Sequence, residues 1–225
     1  MSFSAVLFDL DGTLCERTQS AAAVYAGAFE AAAVEPFGEP GELWAALAEP
    51  PDHDDRVGYF AAGFAIVAAK HGRAPTDARG LARGILETID NARVRPTEGA
   101  IEAIEAAGRV GPVGLLTNGP RSRQRTKLDA LPFGDAFETT VYAADLRRRK
   151  PNREPFERAL GSLSVTASEA LYVGDSLEYD VAGAQNAGLE VAWCRPEADV
   201  EPAPYDPEYV IDSPAEIERV LDGDG

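Results

Sequence analysis

Lysine is the scarcest charge in this chain: Lys70, Lys127 and Lys150 are the only three in 225 residues. Arginine supplies the remaining positive charge, and 38 acidic residues against 21 basic ones leave a net charge of −17. That balance argues against nucleic acid and anionic membranes as partners. Long apolar runs are missing too. Gly, Pro or charge interrupts each one short of the ~18 residues of a bilayer span, so no membrane partner is expected. No basic start leads into an apolar segment, so no secretory leader is expected. Cysteine is limited to Cys15 and Cys194, far apart in sequence, and two lone cysteines read as reduced thiols of a cytoplasmic protein. Histidine is limited to His53 and His71. Neither has the spacing of a metal site or a catalytic triad, so both read as surface residues, with His53-Asp54-Asp55 as a helix start.

What is present supports a sizeable core, since 45% of residues are hydrophobic. An acidic, lysine-poor surface suits high salt, where the Debye length shrinks to ~3 Å at 1 M and self-repulsion is screened. A halophilic protein is the expectation, and nothing in the sequence selects between monomer and dimer.

The run Ala5-Val6-Leu7-Phe8 ends at once in Asp9-Leu10-Asp11-Gly12-Thr13, the pattern of a buried strand entering an active loop. Asp9 and Asp11, two apart on an extended chain, point the same way. Their like charges call for a cation or a functional reason, and Gly12 lets the backbone turn close to a ligand. On this stretch alone, a metal site and a plain Asp-Gly turn stand as equals.

Next come some eighty residues of helical periodicity. Helices are predicted over Ser20–Val34, Glu42–Glu49 (stopped by Pro50-Pro51), Asp54–His71 (capped by Asp52 or Asp54) and Thr76–Ala92 (capped by Thr76). This is too long for one crossover and reads as an inserted helical unit. From Val94 strands and helices alternate. Strands are predicted at Pro112–Leu116, Thr139–Ala143, Ala170–Val173, Glu190–Trp193 and Tyr209–Ile211. Helices are predicted at Ala100–Ala107, Arg121–Leu131, from Pro155 to Leu160, at Asp180–Ala187 and at Pro214–Leu221. Such alternation means an α/β fold with a doubly wound parallel sheet, whose ligands bind at the carboxyl ends of the strands.

Four polar stretches fall at such ends: Asp9 to Thr13, Thr117-Asn118-Gly119, the Lys150-Pro151 region, and Gly174 to Asp180. Facing one crevice, Asp175 and Asp180 add two carboxylates to Asp9 and Asp11. Asp175 could instead cap a helix and Asp180 could sit in a first turn. Four acids together are most economically explained by a hard divalent cation, and Mg²⁺ fits an all-oxygen site that shares ligands with a phosphate. Thr117 and Asn118 offer a hydroxyl, an amide and backbone N–H groups at a helix start, a natural anion site that is also an ordinary turn. Lys150 provides a compact ammonium suited to a phosphate oxygen or a carboxylate. Its neighbours Arg147, Arg148 and Arg149 read as a solvated face in so acidic a chain.

These four motifs, in this order, resemble the haloacid dehalogenase-like (HAD) hydrolase superfamily over nearly the whole chain. The segment Tyr172 to Gly188 is especially similar. The resemblance implies a Rossmann-like core over residues 1–15 and 95–225, with a helical C1-type cap over 16–94. It implies a phosphatase acting on a small phosphorylated substrate, with Asp9 as nucleophile and Asp11 as acid and base. It further implies Mg²⁺ held by Asp9, the Asp11 carbonyl, Asp175 and Asp180, phosphoryl oxygens held by Thr117 and the Asn118 amide, and Lys150 offsetting charge. A mutase of the β-phosphoglucomutase type shares all four motifs. A 2-haloacid dehalogenase is disfavoured by the presence of Asp11 and Asp175, and an inactive binding module by the intact motifs. Cys15 reads as a core residue. Trp44, Tyr59, Phe60 and Phe64 read as core rather than substrate contacts, and Arg17 as a candidate substrate contact.

Overall fold

The computed structural model describes residues 3–47, 55–74, 77–196 and 199–223. The expected caps Asp52, Asp54 and Thr76, the Pro50-Pro51 stop and His53 lie outside them. The chain separates into two compact units, Met1–Glu16 with Val94–Gly225, and Arg17–Arg93.

In chain order, β1 (Ala5–Phe8) and β2 (Cys15–Arg17) lead into four helices, α1 (Ala21–Ala32), α2 (Pro40–Ala46), α3 (Arg56–Lys70) and α4 (Ala78–Thr88). The chain returns through β3 (Val94–Pro96), which pairs with β2. At three residues each, these two strands are too short to show an alternating pattern in the sequence. Then follow α5 (Ala100–Val110), β4 (Val113–Thr117), α6 (Arg121–Ala130), β5 (Thr139–Tyr142), α7 (Arg153–Leu163), β6 (Ala170–Gly174), α8 (Ala182–Ala187), β7 (Glu190–Cys194), β8 (Tyr209–Ile211) and α9 (Ile217–Asp222).

Six strands form a parallel sheet in the order β5-β4-β1-β6-β7-β8. Side chains alternate across it as the strand period requires. Val6 and Phe8 join the core built with α5 and α9, while Ala5 and Leu7 join the core built with α7 and α8. β1 lies in the centre, with Phe8 opposite both Leu115 of β4 and Val173 of β6. From β1 the chain fills one side of the sheet with β4 and β5 and then crosses to the other with β6, β7 and β8, so the crevice of a doubly wound sheet opens at the ends of β1, β4 and β6.

The helical unit has its own apolar centre, in which Tyr25, Phe29 and Phe64 stack in mutual edge and face contacts about 5 to 6 Å apart. Several boundaries differ from the sequence expectation for local reasons. α3 is capped by Asp55, whose Oδ1 accepts the Gly58 N–H at 2.8 Å. The helix expected to reach Ala92 stops at Thr88, because the Gln19 side chain competes for the backbone there. Gln19 donates to the Thr88 carbonyl (3.0 Å) and accepts the Asp90 N–H (2.8 Å). The helix expected from Asp180 opens as a π-type turn, Leu177–Val181, before α8, and the helix expected from Pro214 opens as a 3-10 turn before α9. No helix among the described residues is long and apolar enough to cross a membrane.

Candidate active site

Asp9 is the first residue beyond β1, and its N–H extends the ladder to the Val173 carbonyl at 2.9 Å. The loop then turns at Gly12, whose φ of +87° lies in the left-handed region, and a Cβ there would stand 2.3 Å from Asp175 Oδ2. Glycine at 12 is therefore required twice, by backbone conformation and by the close approach of a carboxylate. Gly174 leaves room for Asp180 in the second of these ways, since a Cβ at 174 would meet Asp180 Cγ at 2.4 Å. With these obstacles absent, one carboxylate oxygen each from Asp9, Asp175 and Asp180 lie within 4.8 Å of one another.

Lys150 anchors this cluster from within. Its side chain is 2% exposed, and Nζ donates to Asp9 Oδ1 and Asp180 Oδ1, both at 2.6 Å, with Tyr172 Oη at 3.0 Å. Tyr172 donates in turn to Asp180 Oδ1 at 2.9 Å, and Asp180 Oδ2 accepts the Ser176 N–H at 3.0 Å. The widened turn at Leu177–Val181 is what brings Asp180 inward to these partners. Burial outweighs everything else for Asp9, holding its carboxyl well above the usual carboxylate range; Lys150 opposes this, and Asp180 and Asp175 reinforce it. Lys150 is held above the usual lysine range, because the attraction of Asp180 and Asp9 overcomes the cost of burying its ammonium. Burial and Asp180 push Asp175 up to about 6, against Lys150 and a 3.3 Å hydrogen bond from Thr13 Oγ1. The indole of Trp193 fixes this loop by donating to the Asp175 carbonyl at 2.8 Å. Two of the three clustered carboxylates, Asp9 and Asp180, share the Lys150 ammonium, and the donor set is all oxygen. That chemistry fits a hard divalent cation.

Asp11 is held differently. Its half-exposed carboxylate is gripped by Lys127, whose Nζ lies 2.5 Å from Oδ1 and 2.6 Å from Oδ2. Gln124 Nε2 donates to Asp11 Oδ2 (2.8 Å) and to Thr117 Oγ1 (2.6 Å), tying the ends of β1 and β4 together through one carboxamide. The Asn118 carboxamide is engaged within the chain. It pairs in both directions with the Lys150 backbone, donating to the carbonyl at 3.1 Å and accepting the N–H at 2.9 Å. Asn118 thus sets the loop that presents Lys150.

Residues 3–188 match the family model described as haloacid dehalogenase-like hydrolase. The chain belongs to that family. Among relatives of this HAD-like hydrolase, N-acetylmuramic acid 6-phosphate phosphatase from Pseudomonas aeruginosa is 27% identical over 99% of the chain and 96% of the relative. Pyrimidine 5'-nucleotidase YjjG from Escherichia coli is 30% identical over 127 residues, 56% of each protein. The chain thus spans only about half the length of some of the curated relatives it matches. The solved structure of the putative HAD-hydrolase YfnB from Bacillus subtilis, bound to magnesium, superposes with a TM-score of 0.76 at 22% identity, covering 98% of this chain and 99% of that one. At that identity the likeness shows the fold.

The crevice of the HAD-like core brings together Asp9, Asp11, Thr117, Lys150, Asp175 and Asp180. Residues that the motifs did not suggest are Lys127, Gln124 and Tyr172. The signal for the first two was present: Lys127 is one of three lysines, and it stands three residues after Gln124 on the helix that follows Thr117-Asn118-Gly119. Other candidates fall elsewhere. Cys15 and Cys194 are buried and form no disulfide with each other, and burial pushes the Cys194 thiol up to about 12. Phe60 and Phe64 are core residues, and Tyr59 donates to the Leu47 carbonyl at 2.7 Å. Arg17 hydrogen-bonds Asn91 at 3.3 Å, and His71 faces Glu42 at 2.8 Å. Arg147 and Arg148 are exposed.

Proposed function

We propose that this HAD-like hydrolase is a Mg²⁺-dependent phosphomonoesterase of the cytoplasm, acting on a small phosphorylated metabolite through an aspartyl-phosphate on Asp9. The observation that carries the reading is the convergence of Asp9, Asp175 and Asp180 within 4.8 Å beside the buried ammonium of Lys150, with Asp11 on the same loop. The names of the phosphatase and nucleotidase relatives support it. Asp9, Asp175, Asp180 and the Asp11 carbonyl would hold Mg²⁺, which when bound neutralises charge on the carboxylates and on a phosphoryl group.

Asp9 attacks phosphorus as the bond to the leaving oxygen breaks, and Asp11 gives that oxygen its proton. A water then attacks the aspartyl-phosphate, Asp11 takes its proton, and the acyl-phosphate bond breaks to restore Asp9 and release inorganic phosphate. Lys150 balances charge on Asp9, while the Thr117 hydroxyl and the Asn118 N–H hold phosphoryl oxygens. Positioning and charge neutralisation are what phosphoryl transfer chiefly requires. The helical unit 17–93 is read as a cap whose residues set the substrate.

Turnover of a panel of phosphorylated metabolites, with and without EDTA, tests the reading. Asp9→Asn is expected to lose at least about 10³-fold of turnover, the scale on which removal of a nucleophile acts. Retained turnover in that variant would remove Asp9 as nucleophile, and full activity in EDTA would overturn the cation requirement.

A further inference from the structure

Two of the three lysines in this acidic chain are buried at one crevice, and the proposed reaction gives a role only to Lys150. Lys127 is 3% exposed and Gln124 is 1% exposed, although both belong to a helix rich in arginine and polar residues. A helix seldom buries an ammonium and a carboxamide unless they are matched to partners. Here both reach the same half-exposed carboxylate. Lys127 Nζ spans both oxygens of Asp11, and Gln124 Nε2 meets Oδ2 from the side.

We propose that Lys127 and Gln124 are positioning residues that seat the Asp11 carboxylate for proton transfer and lock its orientation to that of Thr117. The inference rests on the role of Asp11 in the proposed reaction and deepens it. A carboxylate at a loop tip has two rotatable torsions. With a buried ammonium across both oxygens and a carboxamide hydrogen on one, a single orientation is retained. Gln124 adds a second constraint. Its Nε2 donates to Thr117 Oγ1, so that oxygen acts as acceptor there, and the Thr117 hydrogen is directed elsewhere, as a contact to a phosphoryl oxygen requires. One carboxamide thereby couples the group that moves the proton to the group that holds the phosphoryl oxygens.

A misplaced acid matters only when the leaving group needs a proton. The test compares kcat/KM for an alkyl phosphate, a poor leaving group, with that for 2,4-dinitrophenyl phosphate, whose phenolate leaves unassisted. This parameter covers steps only through aspartyl-phosphate formation, so later hydrolysis does not blur it. Lys127→Met is expected to lower kcat/KM for the alkyl phosphate at least about tenfold, a part of the 10²–10⁴ that general acid–base catalysis supplies. The same variant should change the dinitrophenyl value by less than about threefold on that argument. Gln124→Leu is expected to show the same asymmetry more weakly, and Lys127→Arg to recover part of the loss.

Equal losses on both substrates would overturn the proposal, because they would mark a general role in folding or binding. No loss on either would overturn it as well. If the wild type turns over neither substrate, the reading of Asp11 as acid and base fails with the proposed function. The seat is then judged alone: a crystal structure of Gln124→Leu or Lys127→Met with the Asp11 carboxylate unmoved refutes it, and a turned or disordered carboxylate supports it.

Discussion

Replacing Asp175 with Asn is expected to reverse sign with the cation. Asp175 titrates near 6 against an ordinary value of 3.8, so the folded chain binds a proton there that the unfolded chain has released. Stability therefore falls as pH rises from about 4 to about 6 and stays low above that. Each pH interval of one is worth about 1.4 kcal/mol, so keeping this carboxylate ionised at pH 7.5 costs on the order of 3 kcal/mol without a cation. Asn has the same shape, keeps an oxygen for the Thr13 hydroxyl, and removes the charge. In EDTA at pH 7.5, Asp175→Asn is expected to melt several degrees above the wild type, at roughly 2–4 °C per kcal/mol for a chain of this size. At pH 4 the gain should shrink below about 1 kcal/mol, because the folded wild type is already protonated there. In saturating Mg²⁺ the order should invert: the wild type gains RT ln(1 + [Mg²⁺]/Kd), and the variant has lost a ligand. Differential scanning fluorimetry across pH, with EDTA or Mg²⁺, reads all three conditions. Two results would refute the reasoning: a variant less stable than wild type in EDTA at pH 7.5, or equal gains from Mg²⁺ in both proteins.

Gly12→Ala places a Cβ 2.3 Å from Asp175 Oδ2 at a φ of +87°, so turnover and the Mg²⁺-induced rise in melting temperature should both collapse while circular dichroism stays unchanged. A variant that keeps the Mg²⁺ response would show that the loop can yield without harming the cluster. The net charge of −17 predicts that melting temperature rises with KCl as the Debye length falls from ~10 Å at 0.1 M to ~3 Å at 1 M. A melting temperature indifferent to KCl would remove the halophilic expectation.

The sheet was legible because its strands carry strong signals: apolar runs of four or five residues, each closed by polar residues that cannot continue a core. Those closing residues also form the candidate site, so fold and candidate chemistry share the same boundaries. Interactions made by one side chain with a distant backbone were not legible. Gln19 ends α4 from sixty-nine residues away, and Asn118 binds the Lys150 backbone across thirty-two, and neither contact leaves a trace in local spacing. Asn118 shows the consequence most clearly. Beside Thr117 and Gly119 its amide read as an anion ligand, but in the fold it shapes the loop that presents Lys150. The β2–β3 pair escaped for a different reason, since three-residue strands have too few alternations to register.

Lysine use links the surface to the site. Across most of the chain arginine carries the positive charge, in exposed pairs such as Arg125 with Asp129 and Arg153 with Glu157 that contribute little each. At the crevice the buried basic residues are lysines, and for Lys150 there is a geometric reason. Lys150 Nζ lies 2.6 Å from carboxylate oxygens of both Asp9 and Asp180, and Lys127 spans the two oxygens of Asp11. At Lys150 a compact ammonium can sit at the point shared by two carboxylates, whereas a planar guanidinium needs its acceptors side by side along one edge. Lys70, the third lysine, is exposed at the end of α3, so the geometric reason applies to Lys150 alone. Lys127 faces both oxygens of one carboxylate, an arrangement a guanidinium fork also meets, but from a longer and bulkier side chain in a buried position. Lys127→Arg is therefore expected to recover part of what Lys127→Met loses.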